Sequence, residues 1–151
     1  MANALQSVKY VNVTPPAAII DNASATTNSV NTEGFAYATF LVELGATDIA
    51  LTALKLQESD TDGSYADIVG ARFGTDADAT GTTSTLPSAT DDNKVYAIFV
   101  DLKGRKKYLD LVITFGDGTN GGFVASQCIL SGADIQPHTA AGLGLGQYLV
   151  V

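Results

Sequence analysis

Residue types able to do chemistry gather at three places in this sequence. In Glu58-Ser59-Asp60-Thr61-Asp62-Gly63, acidic residues at the first, third and fifth positions and glycine at the sixth match the opening of a calcium loop. The match ends at the twelfth position, where Val69 stands in place of a bidentate carboxylate, so the stretch reads as a hairpin turn between Leu54–Glu58 and Tyr65–Val69. The second place is Lys103-Gly104-Arg105-Lys106-Lys107, which holds four of the eight basic residues. It has no interleaved aromatic residues and belongs to a chain of net charge −8, which excludes a nucleic-acid partner. Two readings remain for it: a solvated hairpin tip, or a contact that orients the chain on an acidic neighbour. The third, Gly116-Asp117-Gly118-Thr119-Asn120-Gly121-Gly122, has no following Lys-Ser/Thr and no helix to open, so it reads as a hairpin loop rather than a phosphate cradle.

Nucleophiles and bases are scarce. The only cysteine, Cys128, lies in the apolar run Phe123–Leu130 and reads as a small buried hydrophobe; the only histidine, His138, sits beside a proline far along the chain. A single cysteine forms no internal disulfide. No pair of carboxylates stands out from the Asp-rich turns, where such side chains commonly bond their own backbone. The expectation is a chain that is not an enzyme and needs no cofactor or metal. A glycan platform would have to come from Tyr65 or Tyr96, near the exposed loop Ala77–Asn93.

The elements that must position these residues are strands. Tyr108–Phe115 puts Leu109, Leu111, Ile113 and Phe115 on one face, and Tyr108, Asp110, Val112 and Thr114 on the other. Phe35–Leu44, Val95–Leu102 and Phe123–Leu130 are further strands, separated by Gly, Asp and Asn turns. Asp48–Leu56 reads either as a short helix or as the strand Leu51–Gln57. Short apolar runs with no long helical period predict an all-β fold, a single β-sandwich or jelly-roll-like domain.

At 151 residues the chain suits one domain, and with 46% hydrophobic residues it can bury a core. Only 16% of residues are charged, which suits a surface covered by protein neighbours. No stretch is long and apolar enough for a membrane span, and the first residues lack the pattern of a secretory signal, so synthesis in the cytoplasm is expected. The expected organisation is an extended N-terminal arm at 1–20, a sandwich at 21–134 and an extended C-terminal arm at 135–151. The last arm carries glycine at 142, 144 and 146 and ends in the apolar Tyr148-Leu149-Val150-Val151. Lys103, Arg105, Lys106, Lys107, Tyr148, Leu149, Val150 and Val151 are the candidate partner-binding residues. Deleting everything after Pro137 is expected to leave a folded domain that no longer binds.

Three segments, Phe35-Ala-Tyr-Ala-Thr…Glu43-Leu-Gly-Ala-Thr-Asp48, Leu54-Lys-Leu-Gln-Glu-Ser-Asp…Gly63 and Arg105-Lys-Lys-Tyr-Leu-Asp-Leu-Val112, resemble small virion structural proteins of tailed bacteriophages. Together they cover about a third of the chain. The resemblance implies a capsid decoration or cement protein on the capsid exterior, whose partner is the major capsid protein and which is commonly a homo-oligomer, with a trimer favoured. A neck or tail component of the virion fits the same resemblance. A carbohydrate- or host-surface-binding sandwich is the alternative from another functional class.

Overall fold

The computed structural model describes residues 4–137 and 139–150. Among the described residues one 3-10 turn, Ala4–Ser7, precedes eight strands: β1 (Lys9–Thr14), β2 (Val30–Asn31), β3 (Tyr37–Thr47), β4 (Leu51–Ser59), β5 (Ala66–Arg72), β6 (Val95–Asp101), β7 (Tyr108–Phe115) and β8 (Gly122–Ser131). Strand β7 shows how the sequence pattern becomes packing. Its expected core face is the core face found: Leu109, Leu111, Ile113 and Phe115 are at most 1% exposed. Burying each such side chain is worth about 1.5–3 kcal/mol. On β3 the buried set is Ala38, Phe40, Val42 and Leu44, and on β8 it is Val124, Ser126, Cys128 and Leu130. The one polar member of that row, Ser126, shares a 2.7 Å hydrogen bond with the buried Thr14 hydroxyl.

The strands form two four-stranded antiparallel sheets, sheet A in the order β1-β8-β3-β6 and sheet B in the order β2-β7-β4-β5. Every connection except β4 to β5 carries the chain from one sheet to the other, which is the winding of an eight-stranded jelly roll. The expected all-β sandwich is thus the fold observed. The β4–β5 hairpin at Asp62-Gly63 is also as expected. Asp48–Leu56 resolves to strand, since β4 starts at Leu51.

Two other turns differ from expectation. Lys103–Lys107 and Gly116–Gly122 are not hairpin tips: each joins a strand of one sheet to a strand of the other. Gly/Asp-rich sequence encodes a reversal of the chain, and the same reversal serves a hairpin or a corner between layers. The second corner is pinned from two sides. Asp48 accepts the Asn120 and Gly121 N–H groups at 2.8 Å each. Gly121 has φ +81°, and a β-carbon there would lie 2.2 Å from the Ile20 carbonyl oxygen.

Parts of both terminal segments belong to the sandwich. Residues 9–14 of the N-terminal segment form β1, and Val13 is fully buried. In the C-terminal segment, residues 139–145 make a compact turn in which Leu143 N–H donates to the Thr139 carbonyl at 2.9 Å. Leu143 is buried, and its carbonyl accepts the Tyr10 N–H at 2.7 Å. A cut after Pro137 would therefore remove a piece of the fold along with the tail.

Candidate protein-docking surface

Both sheets bury one face against the other, so their outer faces should be polar if water is their only neighbour. Sheet B follows this rule. Its outer side holds a charged network in which Asp67 bonds Lys55 Nζ and Gln57 Nε2 at 2.7 Å each, and Arg72 pairs with Asp76 at 2.7 Å. The lysine and arginine hold the Asp67 and Asp76 carboxyls below the usual range. On the same face Asp110 accepts the Thr27 hydroxyl at 3.1 Å, while burial raises its pKa.

Sheet A departs from it. Strand registers place Tyr10, Ile129, Thr39 and Phe99 in one row across its outer face, and Asn12, Gln127, Leu41 and Ala97 in the next. The neighbours of these residues along each strand, such as Cys128, Phe40 and Ile98, point into the core. Over β3, β6 and β8 the outward charges are only Glu43 and Asp101, at opposite margins. Phe99 is 80% exposed, and Val95 and Tyr37 are exposed as well.

The sheet edges are equally unlike one another. The β1 edge is covered by the turn 139–145 through the Tyr10–Leu143 hydrogen bond. β2 is only two residues long. β5 bulges away from β4 between Asp67 and Arg72, and its Gly70 N–H is taken by the Asp76 carboxylate at 2.9 Å. Short, bulged or covered edges are the usual protection against unwanted strand pairing.

β6 has none of these protections. Leu102 N–H donates to the Ala36 carbonyl at 3.0 Å and Leu44 N–H to the Lys94 carbonyl at 2.9 Å, which fixes the alternation of the β3–β6 ladder. The main-chain groups of Val95, Ala97, Phe99 and Asp101 consequently point away from β3. Among the described residues nothing hydrogen-bonds to them. Those of Ala97, Phe99 and Asp101 open onto a groove of about 620 Å³ lined in part by Val69, Ala77 and Ala79 and in part by Arg72 and Asp78.

The residues singled out in the sequence are distributed as follows. Arg105 lies 3.5 Å from Glu58, whose other oxygen accepts the Lys106 N–H at 3.1 Å. Lys106 Nζ lies 3.8 Å from Asp60, and Lys107 Nζ is 2.8 Å from Glu33. The acidic neighbour of this cluster is thus its own chain, at least in part; Lys103 makes no ion pair among the described residues. The same contacts disperse the carboxylates of the calcium-like stretch, since Asp62 bonds Tyr65 instead. Among the described residues no group of three or more metal-ligating side chains converges. Tyr148, Leu149 and Val150 are exposed, Leu149 at 94%. Val151 and His138 lie outside the described residues. Cys128 is fully buried, and burial pushes its thiol up to about 12.

Sequence reasoning missed the β6 edge and the outer face of sheet A. A signal was present: Val95, Ala97 and Phe99 alternate with Tyr96, Ile98 and Val100, so both faces of the strand are apolar, although only one of them meets the core.

No protein-family model matches the chain, and no curated protein matches it in sequence. Among solved structures, that of the SPBc2 prophage-derived protein YomS is similar over 82% of this chain and 91% of that one, with a TM-score of 0.48 and 13% identity. No helix among the described residues is long and apolar enough to cross a membrane.

Proposed function

We propose that the chain is a structural protein of a phage particle, a decoration or cement protein that binds the outside of the head and stabilises the shell of the major capsid protein. The observation that carries a docking role is the contrast between the two outer faces: sheet B carries ion pairs along β4 and β5, while the outward rows of sheet A are neutral and in part apolar. A charge-poor sheet face that exposes Phe99, Val95 and Tyr37 is the kind of surface that marks an interface. The particle itself enters through the resemblance of the three segments to virion proteins.

On this reading, sheet A's outer face lies against the shell and the charged face of sheet B looks outward. Contact area that exists only in the assembled shell stabilises that shell by mass action, without catalysis. The glycan-binding alternative draws less support. Tyr65 is tied to Asp62, and the Tyr96 ring packs edge-on against Phe73 at 6.2 Å, so neither is a free stacking platform.

The test is the protein's copy number and position on purified particles, by quantitative mass spectrometry and electron microscopy. Hundreds of copies spread over the head are expected. A dozen or fewer at one vertex would move the chain to the neck or tail, and absence from particles would end the virion reading.

A further inference from the structure

Among the described residues, one C-terminal segment without assigned secondary structure and one sheet edge make no main-chain hydrogen bond outward, and the segment leaves the sheet at the edge opposite the free one. The segment is Gln147–Val150, beyond the turn that anchors Leu143 on β1, with Tyr148, Leu149 and Val150 all exposed. The edge is β6, with four residues whose main-chain groups face outward, three of them into a groove lined by apolar and charged residues alike.

The two cannot satisfy each other within one copy. Leu143 sits one strand position outside β1, and a strand added to β6 would sit one position outside the other edge. Five strand spacings separate these positions, about 24 Å. Tyr148 lies five residues beyond Leu143, a reach of at most about 18 Å. By the time the chain had crossed the sheet, Tyr148 would still fall short of the slot.

We infer that Gln147–Val150 of one copy adds as a strand to β6 of a second copy of this chain. Main-chain hydrogen bonds from the segment would meet the outward groups of Val95, Ala97, Phe99 and Asp101. Alternation would turn Leu149 to one face of the extended sheet, and Tyr148 and Val150 to the other. One of these faces is the groove that Val69 and Ala77 line. Donor and acceptor are different surfaces, so the contact is head-to-tail; repeated around a closed set of copies, with reciprocal exchange between two copies as the smallest case, it uses every donor and every acceptor. The inference concerns the isolated protein and stands apart from the particle reading, because no shell is needed to test it.

The experiment uses two full-length variants. The acceptor variant Ala97→Pro with Phe99→Lys removes an outward N–H that serves no internal bond and places a charge on the edge. The donor variant Leu149→Asp with Val150→Asp leaves the Leu143 anchor intact. All but Ala97 are strongly exposed, and Phe99→Lys alone is the second acceptor variant should the proline disturb folding, as judged by thermal unfolding. By sedimentation velocity the unaltered protein is expected to form a closed oligomer, and each variant alone to run as a 15.6 kDa monomer. A mixture of the two variants is expected to form a one-to-one pair, since one intact donor and one intact acceptor remain. A monomeric unaltered protein would overturn the inference. So would variants that fail to pair on mixing, or a donor variant that still self-associates while the acceptor variant does not, which is the signature of β6 pairing with itself.

Discussion

Replacing Gly144 by alanine tests whether the C-terminal turn is a fixed part of the fold. Gly144 has φ +75°, and a β-carbon there would lie 2.0 Å from the Tyr10 carbonyl oxygen. That oxygen belongs to the backbone of a paired strand, so it cannot swing aside as a side chain would. The left-handed conformation alone costs a non-glycine residue about 1–3 kcal/mol. The steric overlap can be relieved only by lifting the turn off β1, and the loss is then set by what the turn contributes. Undocking gives up the Tyr10–Leu143 hydrogen bond, about 0.5–1.5 kcal/mol, and the burial of Leu143, about 1.5–3 kcal/mol. Gly144→Ala is therefore expected to lower stability by about 2–4 kcal/mol in urea unfolding and to speed hydrogen exchange at the Tyr10 amide. Gly146→Ala is the control: a β-carbon there meets nothing within 4 Å, and its effect should stay within about 0.5 kcal/mol. If the two variants were equally stable, with the Tyr10 amide still protected in the first, the account of the turn would be wrong.

Two further outcomes follow from titratable groups. Cys128 is expected to stay silent toward thiol reagents at pH 8 in the native protein and to react only at the rate of global unfolding, because burial holds its pKa near 12; rapid labelling of folded protein would contradict its placement in the core. Acid should destabilise the fold. Glu33, Asp67, Asp76 and Asp78 sit below their ordinary values through hydrogen bonds from Lys107, Lys55, Arg72 and Thr80. Their contribution is complete above the unfolded values, 4.5 for Glu and 3.8 for Asp, and is lost as pH falls through the lower folded ones. Asp110, raised by burial, opposes folding when charged and is relieved by protonation, but it stands against these four and against Asp48, Asp62 and Asp91, which are lowered as well. The urea midpoint should thus drop between pH 5 and 2, and a flat or rising midpoint would refute the sign.

The sequence was most legible where one face meets the core and the other does not. Tyr108–Phe115 alternates cleanly, and its buried set could be named residue by residue. The turns were legible as reversals but not as destinations, because Gly104 or Gly121 lets the chain turn without saying which sheet receives the next strand. Lys103–Lys107 announced its charge, whereas its partners Glu58, Asp60 and Glu33 come from other elements that only folding brings near. The exposed tip at Tyr148–Val150 was readable from composition. Its counterpart on β6 was not: a strand apolar on both faces looks like the middle of a sheet, and its position at the edge is a property of the topology.

That topology also orders events in time. β8 is made after the seven other described strands, yet it lies between β1 and β3 and joins them. All four strands of sheet B are complete once residue 115 has been synthesised, but sheet A has no continuous centre until residue 131 follows. Such pairing between distant parts of the chain forms late and slowly. An incomplete chain therefore cannot present the apolar rows of sheet A as an ordered surface, and β6 has a finished sheet behind it only when β8 is in place. Folding of the monomer thus acts as a checkpoint that withholds the ordered outer face of sheet A until the whole jelly roll exists.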